Sequence, residues 1–393
     1  MRFMGYKVAG LLVLTLLAIV TVGLSVFYGN SLIVHISDEC ICNLIQQEPW
    51  EVGSIQVPKI KIILNSTTTP KIFHCRGYAL NRNFHPTLRS LFHEYEWVDL
   101  SDASKRSNFV ESNPWDLFVS NWKLDECKGD KIHRWLQLSF RGKVLFLNPE
   151  DTTYLEPPIP RSHYFELGPG SPRPNRWVFF FLQAAFWAQM DQDERQVLIN
   201  PSLKPRNTGK HFLVYAHSHC VGIRQAAFRR IANLGLGVAY YAGRCDGGVK
   251  SADKAQQFQN SVRLKNWEEN RHVYKEFRFC LTMEHVRDPG YITEKILVAF
   301  WAGCIPIYYG TTEIFDVFNS KAFIYYDVDN SQPALDRIRY LETNRSAYEE
   351  TLRQPILSER AVEKYLSLDS SLGGGNLKAQ IRSFLGLNVY DFK

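Results

Sequence analysis

The chain has 393 residues, of which 45% are hydrophobic and 22% charged. That composition excludes a disordered polymer and fits about two to three domains of ordinary size. The 46 basic and 40 acidic residues leave a formal charge of +6, an excess too mild to point to nucleic acid when no arginine-rich tract or zinc-knuckle spacing accompanies it.

In chain order, the first feature is Val8 to Tyr28, VAGLLVLTLLAIVTVGLSVFY, an uncharged run. A helix of about 20 apolar residues spans the hydrocarbon core of a bilayer. A cleaved signal peptide has a shorter apolar region and a small-residue cleavage site, so the run reads as a transmembrane anchor. Arg2 and Lys7 precede it, and Asp38 and Glu39 follow it. The positive-inside rule then gives a cytosolic tail over 1–7, an anchor over 8–28 and a luminal remainder. Residues 29–57 form a stem. The triplets beginning at Asn65 and Asn344 are candidate glycosylation sites. The eight cysteines are even in number, which permits disulfides in an oxidising lumen without revealing their pairing. No CxxC pair suggests structural zinc. Cys280 and Cys304 lie in apolar runs and are expected as buried free thiols.

Beyond Pro58, the runs KIKIILNS, DLFVS (Asp116–Ser120) and KVLFLN (Lys143–Asn148) read as strands, with a helix near Thr87–Tyr95 between them. A Pro/Gly patch at Gly168–Pro174 interrupts the pattern. Trp177–Met190 is too short for a second span and is expected as a buried core helix. The second half is more regular. It reads as strand Phe212–Ala216, helix Ile223–Leu234 and strand Val238–Tyr241, then strand Phe277–Met283, loop Glu284–Gly290, helix Thr293–Ala302 and strand Ile305–Tyr309. Each set is a β-α-β unit of a parallel sheet, in which ligands bind beyond the carboxyl ends of the strands. Thr351–Phe384 is expected to be helical and to pack back across the first domain.

The loop and helix start at Glu284–Lys295 therefore fall at a ligand site. A helix N-terminus favours phosphate, and Lys295 adds a full charge there. Thr293 is expected as the helix cap. Glu294 suits sugar or ribose hydroxyls. Physically, a solvated helix end explains the same residues. Basic residues also crowd the stretch Arg173–Arg230, which suits a small anionic substrate.

Three segments carry a resemblance. Met283-Glu284-His285, Tyr291-Ile292-Thr293-Glu294-Lys295 and Ile305-Pro306-Ile307-Tyr308-Tyr309-Gly310 together resemble the donor-binding motif of the α1,3-fucosyltransferase family, glycosyltransferase family ten. Ser218-His219-Cys220 with Arg224, followed by Gly243-Arg244-Cys245, is similar to the family's upstream S-N-C-x-x-x-R and G-R-C elements, with His219 where Asn is common. Gly142–Glu150 resembles the strand that ends in the family's proposed general base. His163–Gly168 stands where many members carry Y-R-x-D-S-D. The resemblance implies an α/β, GT-B-like fold: two facing Rossmann-like domains behind an N-terminal transmembrane helix. The acceptor-side domain would cover 58–200, the donor-binding domain 201–350 and a C-terminal helical segment 351–393. It implies inverting transfer of fucose from GDP-fucose to a hydroxyl of a glycan acceptor, an N-glycan or other oligosaccharide, in α1,3 linkage. Glu150 would be the catalytic base, and Arg224, Tyr291, Glu294, Lys295 and Glu284 would bind the donor. No cofactor is required, with Mn²⁺ or Mg²⁺ at most stimulatory. The location implied is the Golgi membrane, single-pass type II, with a luminal catalytic domain.

Two rival readings stand beside this one. Asp327-Val328-Asp329 and Asp191-Gln192-Asp193 have the Asp-x-Asp pattern that binds a divalent metal in transferases using other nucleotide sugars. A non-catalytic, membrane-anchored glycan-binding protein would keep the fold without the chemistry. The pair His217 and His219 is not read as a metal site.

Overall fold

A computed structural model describes residues 33–34, 61–64, 69–75, 85–100, 112–121, 130–148, 164–171, 174–178, 187, 190–201, 209–217, 219–258, 270–367, 377–387 and 390–392. The expected anchor (8–28), the stem apart from Ile33–Val34, Asn65 and Glu150 lie outside these residues. Among the described residues, no helix is long and apolar enough to cross a membrane.

Two six-stranded parallel sheets form the body of the protein. The first contains β3 (Lys71–His74), β4 (Glu96–Asp99), β5 (Leu117–Asn121), β6 (Lys143–Leu147), β7 (Tyr164–Gly168) and β8 (Arg176–Val178), in the order β4-β3-β5-β6-β7-β8. The second contains β9 (His211–Tyr215), β10 (Ala239–Tyr241), β11 (Ala255–Gln257), β12 (Phe277–Leu281), β13 (Ile305–Tyr308) and β14 (Ile324–Tyr325), in the order β11-β10-β9-β12-β13-β14. A third, small sheet joins β1 (Ile33–Val34), β2 (Lys61–Leu64) and the C-terminal β15 (Tyr390–Phe392). The helices are α1 (His85–Leu91), α2 (Asp130–Leu138), α3 (Gln192–Ile199), α4 (Gly222–Ala232), α5 (Asn270–Tyr274), α6 (Lys295–Ala302), α7 (Ile314–Val317), α8 (Gln332–Thr343), α9 (Arg345–Arg353) and α10 (Leu377–Phe384).

The sequence makes parallel sheets because its strands are apolar on both faces. In β6, Val144 and Phe146 join Phe73, Phe118 and the α2 residue Trp135 in one cluster. The alternate residues Leu145 and Leu147 join Leu117, Val119 and the α1 residues Leu88 and Leu91 in another. Successive side chains point to opposite faces, so each strand feeds two cores. The second lobe repeats the device. Tyr215, Phe279, Leu281 and Ile307 pack with Phe228 of α4 and Ile338 of α8, while Val214, Cys280 and Tyr308 pack with Ile296 and Phe300 of α6.

Two expectations change at the junction. Strand β8 (Arg176–Val178) pairs with β7 at the sheet edge and takes in the first two residues of the expected core helix Trp177–Met190; the β-branched and aromatic Trp-Val start is taken up by strand pairing. Trp187, Met190 and Leu198 are buried in the second lobe's core with α6, so the chain has entered that lobe before position 200. The C-terminal segment returns to the first lobe. Leu377, Ile381, Leu385 and Leu387 complete the cluster around Leu145, Phe384 packs edge-on against Phe165 and Trp177, and Arg382 pairs with Glu94. Ile381 is 0% exposed. Ile381→Ala is therefore expected to destabilise the first lobe by about 2–5 kcal/mol, seen as a lower denaturant midpoint with probes in the first lobe while the second lobe's transition holds.

Candidate functional site

The order of the second sheet reverses between β9 and β12. From β9 the chain proceeds outward through β10 and β11, and from β12 outward through β13 and β14. In an open parallel sheet, that reversal opens a crevice at the carboxyl ends of the two central strands. Helix α4 starts there after β9, and α6 starts there after β12. They cover opposite faces, since Phe228 of α4 and Ile296 of α6 belong to different cores. Two helix starts converge on one crevice, and among the described residues neither carries a side-chain cap. Free N–H groups and two aligned helix dipoles there favour an anion.

The loops are built to hold that shape. Gly243, with φ 142°, passes so close to β9's end that a Cβ would stand 2.5 Å from the His217 carbonyl oxygen. The disulfide Cys220–Cys245 ties the loop after β9 to the loop after β10. A second disulfide, Cys280–Cys304, ties β12 to the turn after α6, where Gly303 adopts φ 93° and ends the helix. The expectation of free thiols at Cys280 and Cys304 is thus corrected. Cys280 faces Pro306 in the β12–β13 register, which brings β12 beside the residue preceding β13.

At the centre lies a buried ionic contact. Glu284 follows β12, and its backbone N–H donates to the Tyr309 carbonyl at 2.7 Å, extending the pairing of β12 with β13. Its carboxylate is 0% exposed. Oε1 accepts from the Thr293 backbone N–H and hydroxyl, each at 2.8 Å. Oε2 accepts from Lys295 Nζ at 3.0 Å. Lys295 Nζ also donates to Thr293 Oγ1 at 2.7 Å. Burial pulls the lysine's pKa down, but the charges of Glu284 and Glu294 outweigh that and the opposing Arg224, so it stands above the ordinary value. Thr293 therefore does not cap α6. Its hydroxyl is spent on Glu284, and Glu294 occupies the cap position without a side-chain capping bond to the helix.

Arg224, in the first turn of α4, is 4% exposed, and its Nε has no hydrogen-bond partner among the described residues. A buried guanidinium N–H left unpaired is costly and marks a place for an acceptor. Next to it His217 donates from Nε2 to the Leu281 carbonyl at 3.3 Å. Burial and the charges of Arg224 and Lys295 hold this imidazole well below its ordinary pKa, so it is neutral at pH 7. Tyr215 stacks on Phe228, and burial pushes its phenol up to about 12 against the pull of Arg224.

The structure thus brings Glu284 and Lys295 into contact, with Glu294 and Arg224 in their electrostatic neighbourhood. Tyr291 is 3% exposed, and its hydroxyl meets His285 Nδ1 at 3.4 Å. Asn344, the other glycosylation candidate, caps α9 by accepting from the Ala347 N–H at 3.0 Å. Three carboxylates of the two Asp-x-Asp pairs, those of Asp327, Asp329 and Asp191, have other partners. Arg287 bonds Asp327 at 2.8 Å and lies 4.0 Å from Asp329, while Asp191 caps α3 in a capping box with Glu194. The bonds of Thr293 to Glu284, the contact of His217 with Leu281 and the cystine pairings escaped the sequence reading. Thr293 carried a signal, two residues before Lys295 and nine after Glu284, but only the folded loop reveals that they meet.

Residues 210–353 match the C-terminal region of glycosyltransferase family 10 (fucosyltransferase). Residues 210–353 are a family 10 domain. It spans the crevice, both helix starts and the Glu284–Lys295 contact. The protein R654 of Acanthamoeba polyphaga mimivirus is 32% identical over 120 residues, 29% of this chain and 19% of R654. The α-(1,3)-fucosyltransferase FucT of Helicobacter pylori is 37% identical over 84 residues, 21% of this chain and 18% of FucT. The alignments thus span about a fifth of these relatives' length. The fold is similar over far more of the chain. A crystal structure of an α1,3-fucosyltransferase aligns with a TM-score of 0.54 at 16% identity, covering 84% of this chain and 95% of that one. A crystal structure of an α1,3-fucosyltransferase with GDP-fucose aligns with a TM-score of 0.52 at 15% identity, covering 84% of this chain and 94% of that one.

The family 10 domain carries both cystines, separated by 25 and 24 residues. Loops of that size imply a cost of about 3 kcal/mol when a crosslink is removed. Cys304→Ser is expected to lower stability by that order in an unfolding titration, and non-reducing peptide mapping is expected to recover 280 linked to 304.

Proposed function

We propose that the chain is an inverting glycosyltransferase that moves fucose from GDP-fucose to a hydroxyl of a glycan acceptor, in α1,3 linkage. The observation that carries the reading is the convergence of Arg224 and Lys295 at the switch point of a parallel sheet. One buried cation with an orphaned N–H and one partly exposed cation suit the diphosphate of a nucleotide sugar. The family 10 domain names the sugar class, and the fold is similar to an enzyme crystallised with GDP-fucose.

In this reading the acceptor oxygen attacks the anomeric carbon as the bond from that carbon to the β-phosphate oxygen breaks, inverting the centre. The bonding electrons leave on the diphosphate, and Lys295 and Arg224 stabilise the growing charge. The acceptor's proton passes to a carboxylate, for which the sequence offers Glu150 after β6. Tyr291 and Glu294 would hold sugar and ribose. Glu284, fully buried and already bonded, would act through Lys295. The uncharged run at 8–28 would anchor the protein in the Golgi membrane as single-pass type II. Five disulfide-bonded cysteines, Cys75, Cys220, Cys245, Cys280 and Cys304, suit a luminal, oxidising address.

The metal-dependent alternative is disfavoured because Arg287 occupies Asp327 and α3 occupies Asp191. No metal is required in the mechanism above, so Mn²⁺ or Mg²⁺ would at most stimulate. Intact Arg224 and Lys295 disfavour a non-catalytic glycan-binding role.

Purified full-length protein in detergent is expected to transfer fucose from GDP-fucose with chelator present. Arg224→Ala and Lys295→Ala are expected to lower kcat/KM by about 10²–10³-fold, the scale of losing one preorganised charge stabiliser. Abolition by chelator with rescue by Mn²⁺ would favour the metal-dependent reading, and wild-type kinetics in Lys295→Ala would overturn the assignment.

A further inference from the structure

The contact among Glu284, Thr293 and Lys295 does more than close a loop. An ammonium has three N–H bonds. Two of those on Lys295 go to Glu284 Oε2 and Thr293 Oγ1, and the third has no partner among the described residues. The Lys295 side chain retains 20% exposure while Glu284 has none. A ligand therefore reaches the lysine and not the glutamate. We infer that Glu284 and Thr293 are positioning residues, which aim the one remaining N–H of Lys295 at the leaving diphosphate and do not themselves touch the donor. This rests on the nucleotide-sugar reading above.

Each member is fixed by different parts of the fold. Glu284 is held by β13 through its backbone bond to Tyr309. Thr293 is held by Glu284 through both its N–H and its hydroxyl, and it is 4% exposed. Its hydroxyl donates to the carboxylate and accepts from the lysine, so it sets the angle of both. A lysine stem is otherwise flexible, with several rotatable bonds and a compact point charge. Two oriented bonds remove that freedom before the ligand arrives, and preorganised charge is the form that stabilises a transition state without further reorganisation.

The groups facing Lys295 are few. Glu284 and Glu294 lie on its own connection, Arg224 faces it from α4, and His217 faces it from the end of β9. Tyr308 of β13 lies in the field of Glu284. Among these, Glu284 is the negative charge in direct contact. Without it, burial and Arg224 would act on the ammonium opposed by Glu294 alone, and the lysine would lose its proton at a lower pH. Charge on a lysine is present below its pKa and lost above it, so the alkaline limb of activity would move down.

The test uses full-length protein in detergent, measuring GDP binding and the kcat and KM for GDP-fucose from neutral to alkaline pH. The variants are Glu284→Gln, Thr293→Val and Thr293→Ser. Thr293→Ser keeps the hydroxyl and is expected to behave as wild type. Thr293→Val is expected to lose about tenfold in kcat/KM, mainly through kcat, in line with the loss of one charge-assisted bond. Glu284→Gln is expected to lose at least as much and to bring the alkaline limb to lower pH. Wild-type kinetics in Thr293→Val and Glu284→Gln, or a loss in Glu284→Gln that is identical at every pH, would overturn the inference while leaving the proposed function in place. Wild-type protein that binds no GDP would overturn both. Where Glu284→Gln fails to reach a folded state by thermal melting, equal kinetics of Thr293→Val and Thr293→Ser overturn it.

Discussion

Burying a lysine beside an arginine is costly, and much of the second lobe is arranged around making that possible. The ammonium of Lys295 can sit mostly out of water because a wholly buried carboxylate meets it at 3.0 Å. An uncompensated charge in that place would be neutralised or would open the loop. Glu284 in turn needs its remaining lone pairs filled, and Thr293 fills them with a backbone N–H and a hydroxyl. The three residues exchange bonds with one another, and a buried polar network that is satisfied in this way stiffens a structure. Arg224 is the member left open, with an Nε that awaits an acceptor.

Around that contact the backbone is braced from several directions. Each of the two cystines of the second lobe ties down a segment that carries a charged group. Cys220–Cys245 secures the turn before Arg224, and Cys280–Cys304 secures the strand before Glu284 and the turn after the helix of Lys295. Trp301 of α6 donates to Glu194 of α3 at 2.8 Å and lies under Arg271 at 4.1 Å, so the far end of α6 is held too. A site that must place charge accurately is better built on strands and helix starts than on free loops.

The lobes meet close to this site. Gly170, in the turn after β7 of the first lobe, donates to Pro289 in the donor loop at 2.7 Å. Residue 148, buried at the end of β6, bonds Glu166, which Arg176 also holds. The first lobe therefore presents a stiff polar edge beside the loop that carries Tyr291 and Lys295. The C-terminal helix α10 completes that lobe's core from the other end of the chain, which makes the first lobe dependent on residues that follow the second.

Local pattern determined much of this protein. Apolar runs at Lys143–Leu147, Phe277–Leu281 and Ile305–Tyr308 could only be strands of a buried sheet, and the Tyr291–Lys295 stretch marked a helix start at a strand's end. These signals are written in consecutive residues, so periodicity and composition expose them. The resemblance in the same stretch carried the reading to a nucleotide sugar. Whether Trp177 opens a helix or an edge strand, whether Cys280 stays a thiol, and whether Thr293 caps its helix or holds Glu284 depended on neighbours distant in sequence. Sheet order made those decisions, because placing β9 beside β12 sets Arg224 next to Lys295, and placing β13 beside β12 brings Cys304 to Cys280.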